Sequence, residues 1–206
     1  MLVVYGRASS SNVQKVLWLC EELGIPYSSA HDVPPGKAKE SADYTKLNPN
    51  GLIPTIDDDG FVLWESNAIV RYLAAKHAAG TIWPTDLRAR ADADRWMDWQ
   101  TTVLAPPTTV VLYQTVRATP DKKDPAALAA ASQTLREKSA ILDAALKGKA
   151  FVAGDAFTIA DIALGQWVWR YVQLVENRPA QPYLMAWYTR LQGREPYRRI
   201  VMKKLV

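Results

Sequence analysis

Strand-like and helix-like segments alternate only in the first 78 residues, and this contrast between two parts of the chain most constrains the fold. The apolar run LVVY at 2–5, bounded by Gly6, predicts a buried strand. Similar strand patterns are found at 27–30, 53–56 and 61–64. From about residue 86 the strand signals largely cease and helical periodicity takes over. The contrast predicts an α/β domain at 1–78, a linker at 79–86 and an all-helical domain at 87–206.

The first helix is predicted directly behind a cluster of hydroxyl side chains in RASSSNVQKVLW, residues 7–18. Its apolar face is formed at helical spacing by Val13, Val16, Leu17 and Cys20. The preceding serines are residue types favoured at the N-cap of a helix. Free N–H groups at such a helix start attract anions.

The remaining N-terminal segments complete the order βαβαββα. A weak helical pattern covers 37–47, the DDDG sequence at 57–60 predicts a hairpin turn, and Ser66 is expected to cap the last helix. In the second part, Leu128, Leu135 and Leu142 predict one packed helix. FTIAD at 157–161 is a capping-box variant, and further helices are predicted at 182–192 and 195–204.

Composition excludes several classes of protein. The 206 residues are 49% hydrophobic and 22% charged, which is typical of a globular protein with its own core. One cysteine and two histidines exclude an internal disulfide and a zinc cluster, so we expect no metal. The net charge of +4 is scattered along the chain. We therefore expect a soluble cytoplasmic protein that binds neither nucleic acid nor membranes.

Four motifs together resemble the cytosolic glutathione transferases, and among them the serine-type phi, theta and zeta classes. They are SSNVQKV at 10–16, NPNGLIP at 48–54, WESNAIVRYLA at 64–74 and GDAFTIADI at 154–162. The resemblance implies a thioredoxin-like N-terminal domain and a C-terminal helical bundle. It also implies an enzyme that uses glutathione as co-substrate and forms a homodimer.

The same resemblance implies roles for individual residues. Ser10 matches the catalytic serine and Asn12 the asparagine of the same motif. The glutathione-binding positions are matched by Leu52, Ile53, Pro54, Glu65 and Ser66. Among these, Pro54 corresponds to a cis-proline, Ile53 to the residue whose backbone pairs with the cysteinyl part, and Glu65 and Ser66 to the pair that holds the γ-glutamyl end.

Physical chemistry is consistent with these roles but leaves alternatives open. A serine hydroxyl can donate a hydrogen bond that favours the thiolate of glutathione. Ser11 is the alternative donor, although we place Ser10 first. Glu65 and Ser66 are also explained by helix capping alone, and Pro54 by a trans proline at a strand edge. Lys39 is the candidate for the glycine carboxylate.

The second substrate is expected beside the sulfur, against the helical domain. Pro106 and Pro107 should break or kink a long helix and so shape an apolar pocket for a hydrophobic electrophile. The proposed wall consists of Val103, Pro107, Val110, Tyr113 and Trp167, and Arg7 is either a substrate contact or a surface arginine. The predicted reaction is glutathione S-conjugation, with peroxidase or isomerase activity as variants. A non-catalytic binding or interaction protein is the alternative.

Overall fold

The computed structural model describes residues 1–30 and 40–206. The N-terminal part contains, in chain order, β1 (Leu2–Tyr5), α1 (Ser11–Leu23), β2 (Tyr27–Ala30), α2 (Ala42–Leu47), β3 (Thr55–Asp58), β4 (Phe61–Trp64) and α3 (Ser66–His77). The predicted order βαβαββα is confirmed, and the fold is thioredoxin-like. Of the predicted helix at 37–47, residues 37–39 lie outside the described part of the chain.

The four strands form one mixed sheet in the order β2-β1-β3-β4. β1 pairs parallel with β2 and antiparallel with β3, which is joined to β4 by the predicted hairpin. The hairpin turns at Asp59 and Gly60, both at positive φ (52° and 91°). β3 begins two residues later than predicted, directly behind Pro54. A proline has no N–H to donate to a strand ladder.

The second part of the chain is built mainly from helices. Its helices are α4 (Leu87–Trp99), α5 (Ala105–Leu112), α6 (Pro125–Ala145), α7 (Ile159–Leu174), α8 (Pro182–Gln192) and α9 (Glu195–Ile200). Pro106 and Pro107 do not end a helix. They occupy the first turn of α5, and a π-helical turn at Gln100–Leu104 connects α4 to them. Proline is tolerated in a first turn because its missing N–H would have no partner there.

Two further helix boundaries differ from the prediction. Glu65, not Ser66, occupies the N-cap position of α3, and Ser66 is the first helical residue. α9 ends at Ile200, four residues before the predicted end. Among the described residues, no helix combines the length and apolar composition needed to cross a bilayer.

Helix α1 lies at the centre of the molecule, between the sheet domain and the helical domain. It packs against α3 on one side and against α7 and α9 on the other. A Cβ added to Gly165 of α7 would lie 2.5 Å from Trp18, so only glycine permits this close approach. Glu22 of α1 accepts two bonds from the guanidinium of Arg194, at 2.8 and 2.6 Å. The two parts of the chain therefore share one continuous core.

The predicted capping box at the start of α7 is confirmed, and its acid has a larger structural role than capping. The buried carboxylate of Asp161 accepts hydrogen bonds from the backbone N–H of Thr158 (2.9 Å) and of Val152 (3.1 Å), and from Nε1 of Trp187 (2.8 Å). Burial raises the pKa of Asp161 to about 6, although these donors favour its charged form. One side chain thus joins a loop, α7 and α8.

We expect Asp161→Ala to lower the free energy of unfolding by about 3–5 kcal/mol, because three buried N–H groups lose their acceptor. Urea denaturation monitored by tryptophan fluorescence measures this loss. Asp155→Ala, which removes an exposed carboxylate nearby, is the matched control and should change stability by less than about 0.5 kcal/mol. Equal effects of the two substitutions would contradict the structural role of Asp161.

Candidate active site

Three loops meet at the N-terminus of α1 and form a pocket. It is lined by Asn12, Asn48, Leu52, Ile53, Pro54, Glu65 and Ser66. Apart from Asn48, all of these were singled out in the sequence for glutathione binding or catalysis, although they are up to 54 residues apart. Lys39, the candidate for the glycine carboxylate, lies outside the described residues.

Gly6 allows these loops to approach one another. It has a φ of +141°, and an added Cβ would lie 2.7 Å from Cγ2 of Val13 and 3.1 Å from Cβ of Ile53. Any side chain here would push the start of α1 away from the 48–54 loop. The glycine that bounds β1 in the sequence therefore also permits the contact between the start of α1 and Ile53, which lines the pocket.

The loop before β3 is held in place from within the protein. The Ile53-Pro54 peptide bond is cis, the isomer that the resemblance implies. The carbonyl of Leu52 accepts hydrogen bonds from the Tyr44 hydroxyl (2.6 Å) and from Nδ2 of Asn48 (2.8 Å). Burial raises the pKa of Tyr44, so this phenol stays protonated as a donor. These contacts fix the backbone that would face an extended peptide ligand.

Opposite this loop, Glu65 and Ser66 begin α3. Glu65 has a φ of +72°, a conformation that side chains other than glycine rarely adopt. Such backbone strain is concentrated at functional sites. Glu65 is exposed. Ser66 is only 6% exposed and lies beside the free N–H groups at the start of α3. The pair can hold an ammonium group and a carboxylate next to each other.

Ser10 occupies the N-cap position of α1, in an extended conformation. Its N–H donates to the carbonyl of Arg7 (3.1 Å), and its own carbonyl accepts from Gln14 (2.8 Å). Within the described part of the chain, its hydroxyl forms no capping hydrogen bond. The neighbouring Ser11 lines a different cavity, on the side of the helical domain. The half-buried Arg7 lies in the same loop.

This second cavity borders the first through the shared residue Asn12. Its other lining residues are Ser11, Gln100, Ala105, Thr108, Thr109, Leu112, Gln166, Trp167 and Arg170. Of the proposed apolar wall, only Trp167 lines it; Val103, Pro107, Val110 and Tyr113 do not. α5 begins at Ala105 and presents residues at i, i+3, i+4 and i+7 to the cavity, a register set by the π-helical turn before it. The lining is also more polar than the sequence analysis assumed.

A buried polar network beneath both cavities was missed in the sequence analysis. Nζ of Lys15, which is 1% exposed, donates to Oδ1 of Asn67 (2.9 Å) and to Oε1 of Gln100 (3.3 Å). Burial lowers the pKa of Lys15 to about 7, and Glu65 partly opposes this shift. The sequence contains one signal for this buried network, because Gln14 and Lys15 interrupt the apolar pattern of a helix that must be covered on both sides.

Cys20 belongs to the core and not to the site. Its thiol is fully buried, and burial raises its pKa to about 12, with Glu21 adding to the shift. A thiol in this state is a poor nucleophile. Among the described residues, no three His, Cys, Asp or Glu side chains are grouped to hold a metal ion.

Comparison with known families agrees with the geometry of the pocket. Residues 9–76 match the model of the glutathione S-transferase N-terminal domain, and residues 99–195 match that of the C-terminal domain. The chain belongs to the glutathione S-transferase family, whose enzymes use glutathione as co-substrate. It is 36% identical over 204 residues to glutathione S-transferase GstB of Escherichia coli K12, covering 98% of each protein.

Solved structures of the family are similar over the whole chain. The theta class glutathione S-transferase of Xanthomonas axonopodis pv. citri with glutathione bound is 41% identical and has a TM-score of 0.94, with coverage of 100% of this chain and 99% of that one. Its apo form gives a TM-score of 0.86 at 39% identity, with coverage of 100% and 98%. This transferase family member therefore has the expected fold across both domains.

The buried Lys15 makes stability depend on pH near neutrality. The folded state holds Lys15 at a pKa of about 7 and the unfolded chain at 10.5, so above pH 7 the unfolded state binds more protons. Stability therefore rises with pH. We expect the free energy of unfolding to increase by on the order of 1–2 kcal/mol between pH 7 and 8.5. Urea denaturation at the two pH values measures this difference.

Lys15→Met should remove most of this increase, whereas Lys46→Met, at an exposed lysine, should leave it intact. An equal increase in the Lys15→Met protein would show that the titrating group is another residue.

Proposed function

We propose that this protein is a glutathione S-transferase that activates the glutathione thiol with Ser10. The observation that carries the proposal is the position of the Ser10 hydroxyl. Within the described part of the chain it forms no capping hydrogen bond at the N-cap of α1, and the next two residues, Ser11 and Asn12, line the adjoining cavities. In this proposal residues 1–78 bind glutathione, 79–86 connect the domains, and 87–206 supply the electrophile site.

Glutathione fits the first cavity group by group. Its ammonium group pairs with Glu65, and its α-carboxylate accepts from Ser66 and from the first N–H groups of α3. Its cysteinyl backbone pairs with Ile53, which the cis proline and the Tyr44 and Asn48 hydrogen bonds hold in place. This arrangement directs the sulfur towards the start of α1.

At that point the hydroxyl of Ser10 donates a hydrogen bond to the sulfur, and the helix dipole adds a partial positive charge. A free thiol has a pKa of about 8.5, so a decrease of ~2 units makes the thiolate the dominant form at pH 7. This corresponds to roughly 2.7 kcal/mol of preferential stabilisation of the thiolate. The thiolate then attacks an electrophilic carbon held in the second cavity, and proximity supplies the rest of the catalysis.

Ser10→Ala should raise the pKa of protein-bound glutathione by about 1–2 units and lower kcat/KM at pH 7 by roughly 3- to 25-fold, because the thiolate loses its donor and its fraction at pH 7 falls by that factor. The thiolate absorbance in the ultraviolet, followed against pH with saturating glutathione, measures the pKa. Ser11→Ala is the matched control, and it should shift this pKa by less than about 0.3 units. If Ser11→Ala has the large effect instead, the donor is Ser11.

Glu65→Gln should weaken the binding of glutathione and leave the pKa of its thiol unchanged, since it removes the charge that pairs with the ammonium group. We expect the Kd for glutathione to rise by about tenfold or more, equivalent to ~1.4 kcal/mol, with the thiol pKa of the bound form unchanged. Isothermal titration calorimetry measures the Kd. An unchanged Kd would place the γ-glutamyl end elsewhere.

We also propose that the protein is a cytoplasmic homodimer. Several large apolar side chains of the glutathione-binding domain are exposed in the single chain, namely Leu52, Phe61 and Trp64. Association of two copies over this region would cover apolar surface next to the glutathione pocket. Light scattering should then give twice the chain mass of 23.0 kDa.

A further inference from the structure

The cavity beside Ser11 is lined by a cation that has no counterion among residues 1–30 and 40–206. Arg170 of α7 lines this cavity and is 3% exposed. Its Nη1 donates to the carbonyl oxygen of Gln166 (2.9 Å) and to Oε1 of the same residue (3.3 Å), and its Nη2 donates to Oε1 of Gln14 (3.0 Å). All of these acceptors are neutral. In the described part of the chain, no carboxylate forms an ion pair with Arg170.

Two buried donors of the cavity lining are also without acceptors. Nε of Arg170 and Nε1 of Trp167 are inaccessible to solvent and have no hydrogen-bond partner among residues 1–30 and 40–206. Trp167 is itself fully buried and stacks on Tyr171, with ring centroids 5.1 Å apart. Buried donors are nearly always satisfied, and a buried unpaired charge is costlier still. The described residues thus leave the buried charge of Arg170 without a counterion at the edge of a cavity that a ligand can enter.

The remaining polar side chains of the cavity suit the same kind of ligand. Gln100 and Asn12 bring amide donors, whereas the hydroxyls of Thr108 and Thr109 donate to the carbonyls of Leu104 (2.6 Å) and Ala105 (2.9 Å). Ala105 and Leu112 add apolar surface at the two ends of the α5 face. A carboxylate attached to a short carbon chain would therefore find both a charge partner and donors.

Hydrogen bonds also connect Arg170 to the proposed reaction centre at Ser10. Gln14, which accepts from Arg170, lies one helical turn after Ser10 and donates its N–H to the Ser10 carbonyl. Arg170 is therefore linked through one residue, Gln14, to the start of α1.

We infer that the second cavity is an anion-binding subsite built around Arg170, and that it selects small electrophiles carrying a carboxylate. The inference rests on the proposed transferase function, and it replaces the hydrophobic electrophile of the sequence analysis. With an α-haloacid, the thiolate sulfur attacks the carbon that bears the halogen. A C–S bond forms, the carbon–halogen bond breaks, and halide leaves with the bonding electron pair. The carboxylate stays on the product unchanged.

Iodoacetate and iodoacetamide test this selectivity, because they share the reacting carbon and the leaving group and differ in charge. Each enzymatic kcat/KM is divided by the uncatalysed rate constant of the same reagent with glutathione. We expect this acceleration to be at least tenfold larger for iodoacetate. Arg170→Gln should reduce the ratio of the two accelerations at least tenfold. Arg88→Gln, at an exposed arginine, is the control and should keep the wild-type ratio.

Gln166→Glu provides a second variant in case Arg170→Gln fails to fold. It places a carboxylate within hydrogen-bond distance of Nη1 and neutralises the guanidinium without removing it. The ratio should fall as in Arg170→Gln. If the wild-type protein accelerates both reagents equally, or if Arg170→Gln lowers both accelerations by the same factor, Arg170 acts on the thiolate or on folding and the inference is wrong.

A binding measurement separates this inference from the proposed function. S-(carboxymethyl)glutathione and S-(carbamoylmethyl)glutathione are unreactive and differ only in the charge that would face Arg170. We expect the carboxymethyl compound to bind at least tenfold more tightly, with the difference lost in both variants. A protein that shows this difference but accelerates neither reagent refutes the transferase proposal alone. Equal affinities refute the anion subsite, whatever the activity.

Discussion

The burial of α1 between the two domains is the constraint on which the rest of the structure depends. One side of the helix packs on α3 and the sheet domain, and the other meets α7 so closely that Gly165 is needed opposite Trp18. This contact fixes the angle between the domains. It also fixes the position of the N-terminus of α1, where Asn12 lines both the first pocket and the second cavity.

A helix covered on both sides must provide partners for its polar residues. Nζ of Lys15 donates hydrogen bonds to Asn67 and Gln100, and Oε1 of Gln14 accepts one from Arg170. Each of these hydrogen bonds crosses from the first helix to another element beneath a cavity. Removing either partner would leave a buried polar group unsatisfied, so the network favours one relative placement of the domains. Packing and polar contacts thus hold the start of α1, where Ser10 is the N-cap and Asn12 lines both cavities.

The sequence predicted the N-terminal domain well because its signals are local. The strands, the DDDG hairpin, the start of α1 behind Ser10 and the Thr158 capping box each depend on a few adjacent residues. Six residues that the motifs singled out line the first pocket, and their roles in binding stay a prediction. The backbone conformation of Glu65 could not be predicted in this way. Its positive φ follows from the turn between β4 and α3 and not from its residue type.

The second cavity could not be predicted in the same way. The face that α5 presents depends on the π-helical turn at Gln100–Leu104, and no local pattern specifies that turn. As a result, Val103, Pro107, Val110 and Tyr113 were expected where Ala105, Thr108, Thr109 and Leu112 are found. The role of Arg170 depends on a partner 156 residues away, Gln14, which only the folded chain brings into contact.

The most direct test of the central claim is a crystal structure with S-methylglutathione, an unreactive ligand that marks the position of the sulfur. We expect the sulfur within about 3.5 Å of Oγ of Ser10, with the γ-glutamyl end against Glu65 and Ser66 and the methyl group directed into the cavity lined by Arg170. A sulfur bound nearer to Ser11, or a γ-glutamyl end held away from α3, would contradict the account.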